Sequence, residues 1–178
     1  MPIWWPVVHN AKRAVAQGSK KTMQIKQPHN KISRPVTDAD IARVLSEAKL
    51  MHGYVTDKCV ALAHCQVDDT DPLCFFVTRG GKIIINPKIV RHSGYTVDSV
   101  EGCMTYPDNA PITKQRWRKI EVEYQTIHDG KLTEVMANND DIKGLNAFIF
   151  QHEIDHFDGK YCYDTDHKNT QGTNLQSN

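Results

Sequence analysis

No stretch of the 178-residue sequence approaches the roughly 20 consecutive apolar residues that a membrane-spanning helix needs. Charge of one sign is not in excess either. The formal net charge is +1, so bulk electrostatics singles out neither nucleic acid nor a membrane surface as a partner. Cysteine is scarce and odd in number: Cys59, Cys65, Cys74, Cys103 and Cys162 include no C-x-x-C pair. A chain of this length can bury a full core without a disulfide scaffold, so a reducing compartment is expected. No acidic residue precedes Asp38, which makes residues 1–22 a basic extension. It reads as a flexible arm or as a targeting peptide. It is poor in Ser and Arg and has no long apolar stretch, and initiation at Met23 is a further reading. No Glu follows Glu153, and residues 165–178 carry no apolar pattern, so a disordered polar tail is expected there. What remains, residues 23–164, is one domain of ordinary globular composition, with 39% hydrophobic and 24% charged residues in the whole chain.

The patterning of that domain predicts an α+β fold, with antiparallel strands packed around one helix. Thr37-Asp38-Ala39-Asp40 suits a helix start, and Ile41, Val44, Leu45, Ala48 and Met51 follow at helical spacing before Gly53. Strands are predicted over Leu73–Thr78 and Lys82–Asn86, with Arg79-Gly80-Gly81 as the turn and Pro87 breaking the second strand or starting an edge segment. Tyr95–Val100 alternates, whereas Pro107 and Pro111 make the next stretch irregular. Ile120, Val122 and Tyr124 alternate with acids, and His128-Asp129-Gly130 turns into a returning strand over Leu132–Met136. A second helix is expected to open near Asp140 or Asp141 and to end at Gly159. Its stripe is Ile142, Leu145, Ile149, His152 and His156, facing the core.

That stripe ends in His152-Glu153-Ile154-Asp155-His156, an H-E-x-x-H motif. Positions i and i+4 share one helix face, so both imidazoles can face one metal ion, and the adjacent Glu153 can act as a base. A single His on an apolar face is usually a hydrogen-bonded core residue. Two on one stripe beside an acid point instead to a metal. A hydrolytic centre needs a third protein ligand and an open position. Downstream stand Asp158, Asp164, Asp166 and His167, with no Glu among them. Upstream, Cys103 follows a glycine at a strand end, and a thiolate is a strong ligand for first-row metals.

Three segments together carry a family resemblance. Glu101-Gly102-Cys103-Met104-Thr105 resembles the E-G-C-L-S motif of peptide deformylases. His152-Glu153-Ile154-Asp155-His156 matches their H-E-x-D-H, and residues 59–66 resemble their G-x-G-L-A-A-x-Q. Cys59 and Ala61 stand where the family has glycines, and His64 where it has an alanine. The chain also stops soon after the helix, without the long C-terminal helix of many bacterial members, like short phage-type variants. The resemblance implies removal of the N-formyl group from the formyl-methionine of new polypeptides, releasing formate, in the cytoplasm of a bacterium or phage-infected host. Its implied ligands are Cys103, His152 and His156, around one divalent ion, Fe(II) first and Zn(II) or Ni(II) as alternatives. Glu153 becomes the general base, with Gln66 and the backbone of Met104 as oxyanion donors. The peptide lies against Val60, Ala61, Leu62 and Gly102, and the methionine side chain sits on Leu145, Phe148 and Ile149. Glu101 and Asp155 would orient the histidines, with Arg116 or Arg118 as counter-ion. The missing helix argues against the usual ribosome contact. A metallopeptidase of another class and a metal-binding module without activity are the competing readings. If Ala61 reshapes the peptide groove, Ala61→Gly alters turnover of formyl-Met-Ala-Ser; unchanged kinetics removes that idea.

Overall fold

The computed structural model describes residues 23–138 and 142–164. The basic extension, the polar tail and the helix start expected at Asp140 or Asp141 lie outside the described residues. The fold is mixed α and β, with antiparallel sheets and few helices. A five-stranded sheet has the order β1-β2-β3-β6-β7, from β1 (Ala61–Ala63), β2 (Phe75–Thr78), β3 (Ile83–His92), β6 (Ile120–His128) and β7 (Lys131–Ala137). β4 (Thr96–Glu101) and β5 (Ile112–Trp117) form a separate two-stranded ribbon. Among the described residues there are two α-helices, α1 (Ile41–Met51) and α2 (Leu145–Phe157).

Local chemistry explains most of these elements. The carboxylate of Asp40 accepts from both the N–H and the hydroxyl of Thr37, at 2.9 Å each, and so closes the entrance to α1. Val44, Ala48 and Met51 are buried as their spacing predicts, but Leu45 is 48% exposed, one position round the helix from the core stripe. The β6–β7 hairpin turns at Asp129 and Gly130, both at positive φ (48° and 73°), as a two-residue turn compatible with strand twist requires. The core is built on Leu62, Leu73, Phe75, Phe76 and Ile85, all fully buried.

Three expectations change. Pro87 does not end β3, which continues to His92. The register shifts between Ile85 and Lys88, so the proline falls at a bulge, where no ladder N–H is required. Asn86 makes the bulge by adopting φ +49°. Its side chain accepts from the Val36 N–H at 2.8 Å and donates to the Val36 carbonyl at 2.9 Å. The stretch after Pro111 is not irregular throughout, because Ile112–Trp117 pairs residue for residue with β4. Ile142 is not on α2. It precedes Gly144, whose φ of +58° marks the change of direction before Leu145.

An N-terminal segment crosses the end of α2. The Ser33 N–H donates to the Phe157 carbonyl (2.8 Å) and the Lys26 N–H to the Gln66 carbonyl (2.7 Å). Gly159 permits the crossing: it has φ +69°, and a Cβ there would lie 2.6 Å from the Asn30 carbonyl carbon. Gly159→Ala combines a left-handed residue with a backbone clash and is expected to destabilise the protein by about 2 kcal/mol or more, read by chemical denaturation. A loss below about 0.5 kcal/mol, within the range of an ordinary surface substitution, would show that the crossing adapts.

Candidate metal centre

α2 turns His152, Glu153 and His156 inward, with 7%, 4% and 1% of their surfaces exposed. The two imidazoles stand edge to face with centroids 4.7 Å apart. Just beyond the end of β4, Cys103 is buried against them, with Sγ 3.4 Å from His156 Nε2. One donor atom from each of Cys103, His152 and His156 lies within 4.8 Å of the others. The expected third ligand and the two histidines are thus brought together from segments far apart in the chain.

Hydrogen bonds around this trio set the tautomers. His152 Nδ1 donates to Glu101 Oε2 at 3.0 Å, and His156 Nδ1 donates to the Lys160 carbonyl at 3.0 Å. Both acceptors are fixed oxygens, so each ring carries a proton on Nδ1 and turns Nε2 towards Cys103. Glu101 is itself fully buried and is clamped by Arg116, with Nε to Oε1 at 2.7 Å and a second guanidinium nitrogen to Oε2 at 2.8 Å. The same guanidinium donates to Asp155 at 2.6 Å. Of the two arginines left open by the sequence, Arg116 makes this contact.

The electrostatics follow from the clustering. Burial would raise the Cys103 thiol, but the charge of His156 and hydrogen bonds to both histidines pull it well below its usual range. Burial would likewise lower His152, but Cys103 and Glu101 push it well above its usual range. The other cysteines behave differently: burial, helped by nearby negative charge, pushes Cys59, Cys74 and Cys162 up to about 12. Burial also raises Glu153 above an ordinary carboxylic acid, and its Oε2 has no hydrogen-bond partner among the described residues. The Cys103 sulfur and two imidazole nitrogens converging on one spot, beside a partnerless buried carboxylate, fit a divalent first-row ion, which would take the place of the Nε2 protons.

Gln66 is hydrogen-bonded at both ends of its side-chain amide. Its Oε1 accepts from the Ala63 N–H at 3.0 Å, and its Nε2 donates to Cys103 Sγ at 3.3 Å and Thr105 Oγ1 at 3.1 Å. A small opening at the trio is lined by Val60, Ala61, Gln66, Gly102, Met104 and Ile149, and also by Cys59. Val60 and Ile149 continue into a groove of about 660 Å³ that Leu145 also lines. Leu62 and Phe148 are not in that wall. Leu62 points to the opposite side of β1, fully buried in the main core, because strand side chains alternate. Phe148 packs with Ile120 and Val122. The 145–149 face of α2 thus borders a groove rather than the core, and Leu145 is 44% exposed. Two site neighbours were given no role of their own by the sequence. Thr105 meets Gln66 only through the loop after β4. Gln151 pairs through its amide with the backbone N–H and carbonyl of Trp117, at 2.9 Å each, and fixes α2 to the end of β5.

Two histidines one helical turn apart, a cysteine, a buried carboxylate and an adjacent amide form a candidate metal site. The polypeptide deformylase family model matches residues 19–171. A peptide deformylase of Thermotoga neapolitana is 30% identical over 75% of this chain and 78% of its own length. Peptide deformylase 3 of Shewanella oneidensis is 33% identical over 72% and 76%. The actinonin complex of the deformylase from Vibrio parahaemolyticus bacteriophage VP16T superposes with a TM-score of 0.62 at 30% identity, covering 78% of this chain and 99% of that one. The chain belongs to the polypeptide deformylase family, and it is an enzyme of that hydrolase class.

Arg116→Met leaves the Glu101 carboxylate buried with only His152 as partner. It is expected to cost about 3 kcal/mol of folding stability by chemical denaturation. A variant as stable as the parent would show that Glu101 finds water instead.

Proposed function

We propose that this chain hydrolyses the formyl amide of N-formylmethionyl peptides and nascent chains, releasing formate, with Cys103, His152 and His156 holding one divalent ion. The observation that carries the reading is the buried, partnerless Glu153 Oε2 beside three converging donor atoms. When bound, the ion supplies Lewis acidity, activating water and polarising the formyl carbonyl. Thiolate with two imidazoles suits Fe(II), Zn(II) and Ni(II), with Fe(II) the preferred occupant by family resemblance.

The chain's own residues supply the rest. Glu153 Oε2 takes a proton as the water oxygen attacks the formyl carbon. It returns that proton to the leaving amine nitrogen as the carbon–nitrogen bond breaks. Burial, which raises this carboxyl, helps it hold the proton between the two transfers. Gln66 Nε2 and the Met104 backbone N–H donate to the oxygen that gains charge. β1 is an edge strand, so the backbone from Val60 to Leu62 can accept the peptide as an added strand, with Gly102 opposite. Leu145 and Ile149 offer the apolar wall for the methionine side chain. The position of Phe148 against Ile120 argues that it supports this wall from behind. No helix among the described residues is long and apolar enough to cross a membrane.

The test is formate release from a formyl-Met peptide by anaerobically purified protein, with elemental analysis of the same sample. Parent protein should release formate, and Glu153→Gln should lose about 10²–10⁴-fold in turnover while keeping its metal. Cleavage of internal peptide bonds, or bound metal without formate release by the parent, would sink the reading.

A further inference from the structure

The 3-10 turn His64–Gln66 carries the Gln66 amide, and its first residue stands where the family has alanine. His64 is fully buried and held on every side. Its Nδ1 accepts from the Leu73 N–H at 2.9 Å, so the proton sits on Nε2, which donates to Glu47 Oε2 at 2.6 Å. The ring stacks on Phe75 with centroids 4.7 Å apart and planes 28° from parallel. Burial keeps the imidazole below its ordinary range despite the carboxylate beside it. Its carbonyl accepts from the Val67 and Asp68 N–H groups, at 3.0 Å each, which closes the turn. Glu47 is anchored in turn by Arg43 Nε at 3.2 Å, and Arg43 also reaches Asp68 and Asp71. Glu47, His64 and Asp68 could be taken for a second metal site. Both imidazole nitrogens are already engaged and Arg43 already supplies the positive charge, so the cluster is complete as a clamp.

We propose that the Glu47–His64 pair is a positioning device for the reaction: it ties the turn bearing Gln66 to α1 and so holds the Gln66 amide on its target. The chain of contacts runs from Arg43 and Glu47 on α1, through the His64 ring, along three residues of turn, to Gln66 Nε2. That nitrogen sits within 3.3 Å of Cys103 Sγ and 3.1 Å of Thr105 Oγ1. Neither Glu47 nor the His64 ring lines the opening at the trio. Family members with alanine at this position have no such side chain, so the clamp belongs to this chain. The inference rests on Gln66 being the oxyanion donor of the proposed deformylase reaction.

Glu47→Ala removes the acceptor for the His64 Nε2 proton without touching the turn. It is expected to lower kcat on a formyl-Met peptide about tenfold, with KM within about twofold of the parent. Glu47→Gln, which keeps an acceptor oxygen, should restore kcat to within about twofold. Gln66→Ala alone should cost about 10²-fold or more, and adding Glu47→Ala to it should change kcat by less than about twofold. In the 15N spectrum of the folded protein, the side-chain amide resonance of Gln66, identified by its loss in Gln66→Ala, should move in Glu47→Ala and return in Glu47→Gln. Should Glu47→Ala not fold, His64→Gln carries the same comparison. Equal losses from Glu47→Ala with and without Gln66, or an unmoved Gln66 resonance, would overturn the proposal. The resonance reports placement whatever the substrate, so inactivity of the parent on formyl-Met peptides counts against the deformylase reading alone.

Discussion

The buried carboxylate of Glu101 is the constraint from which the centre is built. It has no exposed surface, and its two oxygens are divided between the Arg116 guanidinium and His152 Nδ1. A buried charge of this kind is tolerable only when fully paired. The pairing therefore fixes three elements at once: β4, which ends in Glu101, β5, which carries Arg116, and α2, which carries His152. Cys103 follows two residues after Glu101, so the same pairing sets where the thiolate meets the imidazoles. Asp155, on the outer side of α2, takes the remaining face of Arg116 and completes the bracket.

Against this satisfied framework the unsatisfied group stands out. Glu101, Arg116, Gln66 and His156 all have partners, whereas Glu153 Oε2 is buried without one among the described residues. Leaving a carboxylate oxygen unpaired costs stability, and the fold keeps this cost where a proton acceptor would be used. Gln66 is the opposite case. Its amide is held by Ala63, Cys103 and Thr105, and its turn is held in turn by His64. Glu153 Oε2 is left unpaired, while the Gln66 amide beside it is held at both ends.

Much of this was legible from local pattern. The i, i+4 histidines, the Asp129-Gly130 turn and the α1 stripe depend on neighbours in the chain, and all three formed as their spacing required, with Leu45 alone falling off the stripe. The failures share a different cause. β5 was hidden because its residues alternate weakly and gain their pairing only from β4. Pro87 read as a stop because nothing local shows that Asn86 can take a bulge by bonding to Val36. Leu62 stays in the segment expected to pair with the peptide, but its side chain, like that of Phe148, faces away from the groove. Strand alternation aims Leu62 at the core beneath β1, and Phe148 turns towards Ile120.

By itself the sequence determined the chemistry available: two imidazoles and an acid on one helix turn, a thiolate after a glycine, and an amide after a short apolar strand. Those are consequences of backbone periodicity and residue type, which travel with the local chain. Only the tertiary structure decided which groups meet. Arg116 rather than Arg118 reaches Glu101, Thr105 reaches Gln66, and the histidine at position 64 finds a carboxylate on α1. Such choices depend on which charges and amides are buried together, and burial is a property of the packed fold rather than of any one segment.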